Sequence, residues 1–138
     1  MEEIKQFFKN RLEETLRELK KQKIELTINN IPLIIRKTDF KIRSKEHPEK
    51  CKCYQTQIPC HDLENLNCFL CGCPEYLSES PTGGCNLNSN LGEYIPYDKS
   101  PEGKLWACDG CTYPHHPENV EKYLKANMKQ LRQISDKL

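Results

Sequence analysis

Nine cysteines lie between Cys51 and Cys111, and the rest of the 138-residue chain carries none. Thiols at that density belong to a disulfide framework or to a module stapled by metal ions. Nine cannot pair completely. The amino terminus, MEEIKQFFKNRLEETLRELKK, is charged throughout and reads as neither a secretory signal nor a membrane span. A cytoplasmic location is therefore expected, where reducing conditions disfavour disulfides and metal ligation accounts for the cysteines. Disulfides would be the expectation only in a hyperthermophile, with which the Lys, Glu and Ile usage is compatible.

With 36% apolar and 30% charged residues, the chain is lean in core material. It has room for one compact domain, or for one small core plus a segment that needs staples, and the second arrangement is expected. The formal net charge of +1 divides unevenly, since residues 1–50 hold 13 Lys or Arg against 9 acids and the remainder 8 against 11. Neither half makes the basic stripe of a nucleic-acid footprint, and bound thiolates would make the second half more negative still. No membrane or nucleic-acid partner is expected, and the sequence does not reveal which protein partner it would bind.

The expected fold class is α+β: an irregular metal-stapled module flanked by an N-terminal helix plus β-hairpin and by a C-terminal helix. In residues 2–22, Ile4, Phe7, Phe8, Leu12, Leu16 and Leu19 recur at helical spacing, opposite a charged face. Ile24, Leu26 and Ile28 then alternate with polar residues, Asn29 and Asn30 supply turn chemistry, and Ile31, Leu33 and Ile35 resume the alternation, which predicts a hairpin. From Glu46 to Pro117 the chain is broken repeatedly by Pro and Gly, so no long helix is expected. Pro117 then suits a first helical turn, and Val120, Tyr123, Leu124, Leu131 and Ile134 mark one face of a helix over 118–136. The division is thus 1–46, 47–117 for the cysteine-rich module, and 118–138.

Two knuckles, Cys68-Phe69-Leu70-Cys71 and Cys108-Asp109-Gly110-Cys111, each space two sulfurs so that one tetrahedral ion can take both. Cys53, Cys60 with His61, Cys73, Cys85 and His115 are further candidate ligands. Together these donors can fill two four-coordinate ions, leaving at least one spectator, for which Cys51 is the choice. Their grouping into sites stays open. Cys-x-Cys pairs such as Cys71 with Cys73 would need a tight turn to chelate one ion. His47 and His116 read as surface residues, and Phe69, Tyr76, Trp106 and Tyr113 as the small core that shields the metal.

The ordered run Pro59-Cys60-His61, Asn67 to Tyr76, Cys85, and Cys108 to His115 resembles the cysteine-rich small domain family. That family is described as metal-binding and zinc-finger-like, occurs in archaea and anaerobic bacteria, and stands alone or is attached to a threonine-phosphate decarboxylase-like enzyme of cobamide synthesis. The match runs from about Cys53 to His115 and excludes the first helix. One departure is that Cys53 lies farther before the Pro-Cys-His run than in the family pattern, with Cys51 added. The resemblance implies structural zinc, two ions, in a non-catalytic binding or accessory module. An iron-sulfur cluster in an auxiliary or redox protein of cobamide biosynthesis is the alternative, since all-thiolate sites suit iron as well. No phosphate-binding glycine loop appears, because Cys85 and not a lysine signature follows Gly83-Gly84, and no helical His-Glu-x-x-His appears either.

Overall fold

The computed structural model describes residues 2–138. Its first helix, α1 (Glu2–Lys21), starts on Glu2 and Glu3 and ends on Lys20 and Lys21, charges that complement the helix dipole at both ends. The helix stops in a Schellman-type turn. Ile24 N–H reaches the Leu19 carbonyl and Lys23 N–H the Lys20 carbonyl, both at 3.0 Å, with Lys23 in the left-handed region at φ 60°.

Residues 24–35 do not form the expected hairpin. After an extended stretch and a 3-10 turn (Ile28–Asn30), the chain enters α2 (Ile31–Thr38). The alternation of Ile31, Leu33 and Ile35 is real but incidental. It is Ile31, Ile34 and Thr38, spaced as one helical face, that are buried. Pro32 sits in the first turn, where its missing N–H costs nothing, whereas in a strand it would remove a ladder bond. Asp39 caps the next helix, α3 (Phe40–Glu46), its carboxylate accepting the Lys41 N–H at 2.9 Å. A 3-10 turn (Pro48–Lys50) leads to the short α4 (Lys52–Thr56).

From there to residue 112 the backbone runs mostly as turns, interrupted by the antiparallel pair β1 (Glu93–Pro96) and β2 (Lys104–Ala107). Tyr94 faces Trp106 across this pair in an edge-on contact at 5.2 Å. The hairpin of this fold therefore lies inside the cysteine-rich stretch. A final 3-10 turn (Tyr113–His115) feeds α5 (Pro117–Asp136), so both terminal helices and the α+β class are as expected.

One apolar core joins the ends of the chain. Leu16 and Leu19 of α1, Ile31 and Ile34 of α2, and Val120, Leu124, Met128 and Leu131 of α5 pack together. Phe69 and Leu70, the two residues inside the first cysteine knuckle, are buried in that same core. The knuckle is thus anchored by its middle, and Phe69 serves the helical core instead of covering the thiols. A second cluster, Phe40, Tyr54, Leu66 and Cys68, lies beneath α3 and α4. The two are linked by Arg43, 1% exposed, which grips both Glu18 carboxylate oxygens at 3.0 and 2.8 Å and donates to the Tyr54 hydroxyl at 3.1 Å.

Candidate metal centre

Asn67 organises the approach to the first knuckle. Its buried side-chain oxygen accepts the Phe69 N–H at 2.8 Å and the Thr38 hydroxyl at 3.2 Å, and its amide donates to the Ile35 carbonyl at 2.8 Å. Its own carbonyl takes the N–H of His115 Nδ1 at 2.9 Å, while its N–H donates to the His115 carbonyl at 2.8 Å. A carbonyl only accepts, so Nδ1 of the neutral ring must carry the proton and Nε2 is left with its lone pair free. Burial lowers the His115 pKa; the bond to the Asn67 carbonyl opposes this, the nearby rings of His61 and His116 add to it, and the net direction favours the neutral form.

His61 stacks obliquely on His115, with ring centres 4.9 Å apart. Together with the exposed Cys60 thiol, these two rings present donor atoms that all lie within 4.8 Å of one another. Donors on a tetrahedral zinc ion stand roughly 3.3 to 3.8 Å apart, so a small contraction would bring the three onto one ion. The donor chemistry fits as well. One soft thiolate and two imidazoles suit zinc, and a ring held by a backbone carbonyl through its other nitrogen is the usual arrangement of a metal-binding histidine.

The remaining candidates fall into two neighbourhoods, visible in how the thiols act on one another. Although Cys60 is exposed at the surface, the protein around its sulfur still screens it in part and pushes its pKa up to about 11, and Cys71, Cys53 and Cys51 add to that shift. Burial likewise raises Cys68 to about 12, with Tyr54 and Arg43 opposing and Cys71 and Cys60 reinforcing. Burial raises Cys73 to about 11 too, and Cys108 and Cys111 contribute in the same direction. Cys108 is raised by burial and then by Cys111 and Cys85. Cys53, Cys60, Cys68 and Cys71 are thus near one another, with Cys51 beside Cys53, and so are Cys73, Cys85, Cys108 and Cys111. Thiols of both sets, Cys60 and Cys71 from the first and all four of the second, line one cleft, and among the described residues Cys60 alone of them joins a group of three donors within 4.8 Å. All nine cysteines are free thiols. Burial thus favours the protonated form of Cys53, Cys60, Cys68, Cys73 and Cys108, a preference that a divalent ion would reverse by stabilising the thiolates.

The split occurs at Gly72. A β-carbon there would lie 3.0 Å from the Phe8 ring and 3.2 Å from the Phe8 backbone, so α1 presses directly on the chain between Cys71 and Cys73. From the same helix Arg11 donates to the Cys71 sulfur at 3.4 Å and to the Lys50 carbonyl at 3.2 Å.

Residues 43–138 match the family described as a cysteine-rich small domain (zf-like), which covers well over half of the chain and every cysteine in it. The chain belongs to the cysteine-rich small domain family. No curated protein and no solved structure matches it. In this cysteine-rich small domain protein, α1 and α2 lie outside the matched residues, yet α1 supplies Arg11 to a thiol and Phe8 to the turn between two others. Neither role was evident in the sequence, where Arg11 and Phe8 read as ordinary positions of an amphipathic helix. Asn67 was missed too, although its place directly before a cysteine knuckle is a usable signal, because a side chain there can bond the N–H two residues on. His47 and His116 stay outside the donor group. His116 bonds the Thr112 hydroxyl at 3.0 Å, and His47 lies 3.8 Å from Glu18. Among the described residues no helix is long and apolar enough to cross a membrane.

Proposed function

We propose that the protein is a zinc-binding accessory module, without catalysis of its own, that holds two ions, one in each thiol neighbourhood. The observation that carries this reading is the convergence of Cys60, His61 and His115 within 4.8 Å, with His115 already oriented by the Asn67 carbonyl. Cys73, Cys85, Cys108 and Cys111 form the second, all-thiolate centre, of the kind whose zinc is structural. Cys53, Cys68 and Cys71 flank the mixed centre, and Cys51 is the spare thiol. Zinc there would supply folding free energy to a segment with little regular structure. The test is zinc stoichiometry in paired variants: His61→Ala and Cys108→Ser should each lose one ion and keep the other. Loss of both from either variant, or of neither, would remove the two-centre reading.

An iron-sulfur cluster is a second reading, favoured by the Arg11 guanidinium 3.4 Å from the Cys71 sulfur, since hydrogen bonds to sulfur are one means by which proteins tune such clusters. It would join the protein to redox or cobamide-linked chemistry.

A further inference from the structure

The cleft lined by thiols of both sets has a volume of about 1090 Å³ and is bounded by the first half of α1 and by the hairpin. That exceeds small-molecule sites, which run to roughly 1,000 Å³, and is far more room than metal ions take up. Beyond the donors much of its lining is apolar. Among the described residues eight large hydrophobic side chains are exposed, and four of them, Phe7, Leu87, Leu91 and Ile95, line this one cleft. Two more adjoin it: Tyr94 lies edge-on to the lining Trp106, and the Leu77 N–H donates to the carbonyl of the lining Gly84 at 2.9 Å. A single exposed Leu or Ile is ordinary, whereas a concentration of this kind marks an interaction surface.

The charges select its occupant. Among the described residues Glu3, Glu75 and Asp109 line the cleft and no Lys or Arg does, while Lys5 of the same helix is held by Glu79 at 2.7 Å. Cys73, Cys85, Cys108 and Cys111 line it too, and four thiolates on one zinc ion leave two negative charges there. An acidic apolar cleft attracts a cationic amphipathic ligand and repels nucleic acid, anionic lipid and phosphate. A helix suits it, because a helix satisfies its own backbone and asks of the cleft only an apolar floor for its anchors and carboxylates for its cations. A second copy of this chain does not supply one, since the apolar faces of α5 and of the second half of α1 already form the core.

We propose that this cleft docks a basic amphipathic helix of a partner protein, its apolar side against Phe7, Leu91 and Ile95 and its cations beside Glu3 and Glu75. The proposal rests on the accessory-module reading and names the partner chemistry which that reading leaves open; the metal needs no ligand from outside the chain. The test uses the full zinc-loaded chain and reads the emission of Trp106, its one tryptophan and a residue of the cleft. The probe is a synthetic amphipathic helix of leucine and lysine, about fourteen residues or roughly 20 Å long. Its comparisons carry glutamate in place of lysine, or glutamine in place of leucine. The leucine-lysine helix should change the emission saturably, with half-saturation at least about tenfold below that of either comparison. Phe7→Ala, Leu91→Ala and Glu3→Lys should each raise the half-saturating concentration several-fold. Ile28→Ala, which removes an exposed apolar side chain outside the cleft, should leave it unchanged. An equal response to the three peptides overturns the proposal, as do cleft variants that respond like the parent. So does saturation by benzyltrimethylammonium at a lower concentration than by the helix, which would make the cleft a small-molecule site. Zinc counted in the same samples separates the readings: a zinc-loaded chain that does not discriminate the peptides loses the docking site alone, and a chain that takes up no zinc loses both.

Discussion

Arg11 is the residue whose role is most easily underestimated, because it lies outside the matched family region and touches a thiol from across the fold. Groups that hydrogen-bond a metal ligand are typically worth ten- to a hundredfold in affinity. Arg11→Ala should therefore weaken zinc binding by about tenfold at the centre nearest Cys71, read by competition with a chromophoric chelator. Unchanged affinity would make the 3.4 Å contact incidental. Glu18 answers a different question. It neutralises Arg43, whose side chain is 2% exposed, and Glu18→Ala would leave that guanidinium buried without a counter-charge. The expected loss is about 3 to 5 kcal/mol of unfolding free energy by denaturant titration of the zinc-loaded protein. A loss below about 1 kcal/mol, the range of an exposed pair, would show that the site is wetter than the structure makes it.

At the scale of elements, α2 is the decisive case. Ile34 is fully buried, whereas Leu33 is half-buried, so Ile34→Ala should cost about 2 to 5 kcal/mol and Leu33→Ala clearly less. The reverse order would restore the strand that alternation suggests. Both long helices were legible in the sequence, since twenty residues of one apolar stripe leave little room for a second reading. Eight residues do not. Ile31, Leu33, Ile34 and Ile35 satisfy strand and helix periods alike, and the choice is made by α5 and by Pro32, a tertiary and a local signal that alternation ignores. The hairpin that does form, from Glu93 to Ala107, was hidden because its first strand is exposed throughout and so lacks an alternating pattern. In the candidate site the knuckles and the Cys60-His61 pair were readable, as chelation needs short spacings. Which thiols lie near one another was not, because that depends on the bend at Gly72 under Phe8.

For the whole molecule, the meeting of metal site and helical core matters most. Phe69 and Leu70 are buried against α1, α2 and α5 while their neighbours Cys68 and Cys71 belong to the thiol cluster, so the two halves should not unfold independently. Thermal melting of the zinc-loaded chain should show a single transition by far- and near-ultraviolet circular dichroism alike, and a chelator should move it to lower temperature. Two separated transitions would mean that the helices and the cysteine-rich segment are energetically distinct. The central claim, that the cysteine-rich segment is held together by metal, is tested most directly by metal analysis and ultraviolet-visible absorption on protein purified without oxygen. About two zinc ions per chain with no visible band is the predicted result. Folded protein without any metal would contradict the account, and iron with an equal amount of sulfide and a visible band would replace zinc by a cluster and the accessory role by a redox one.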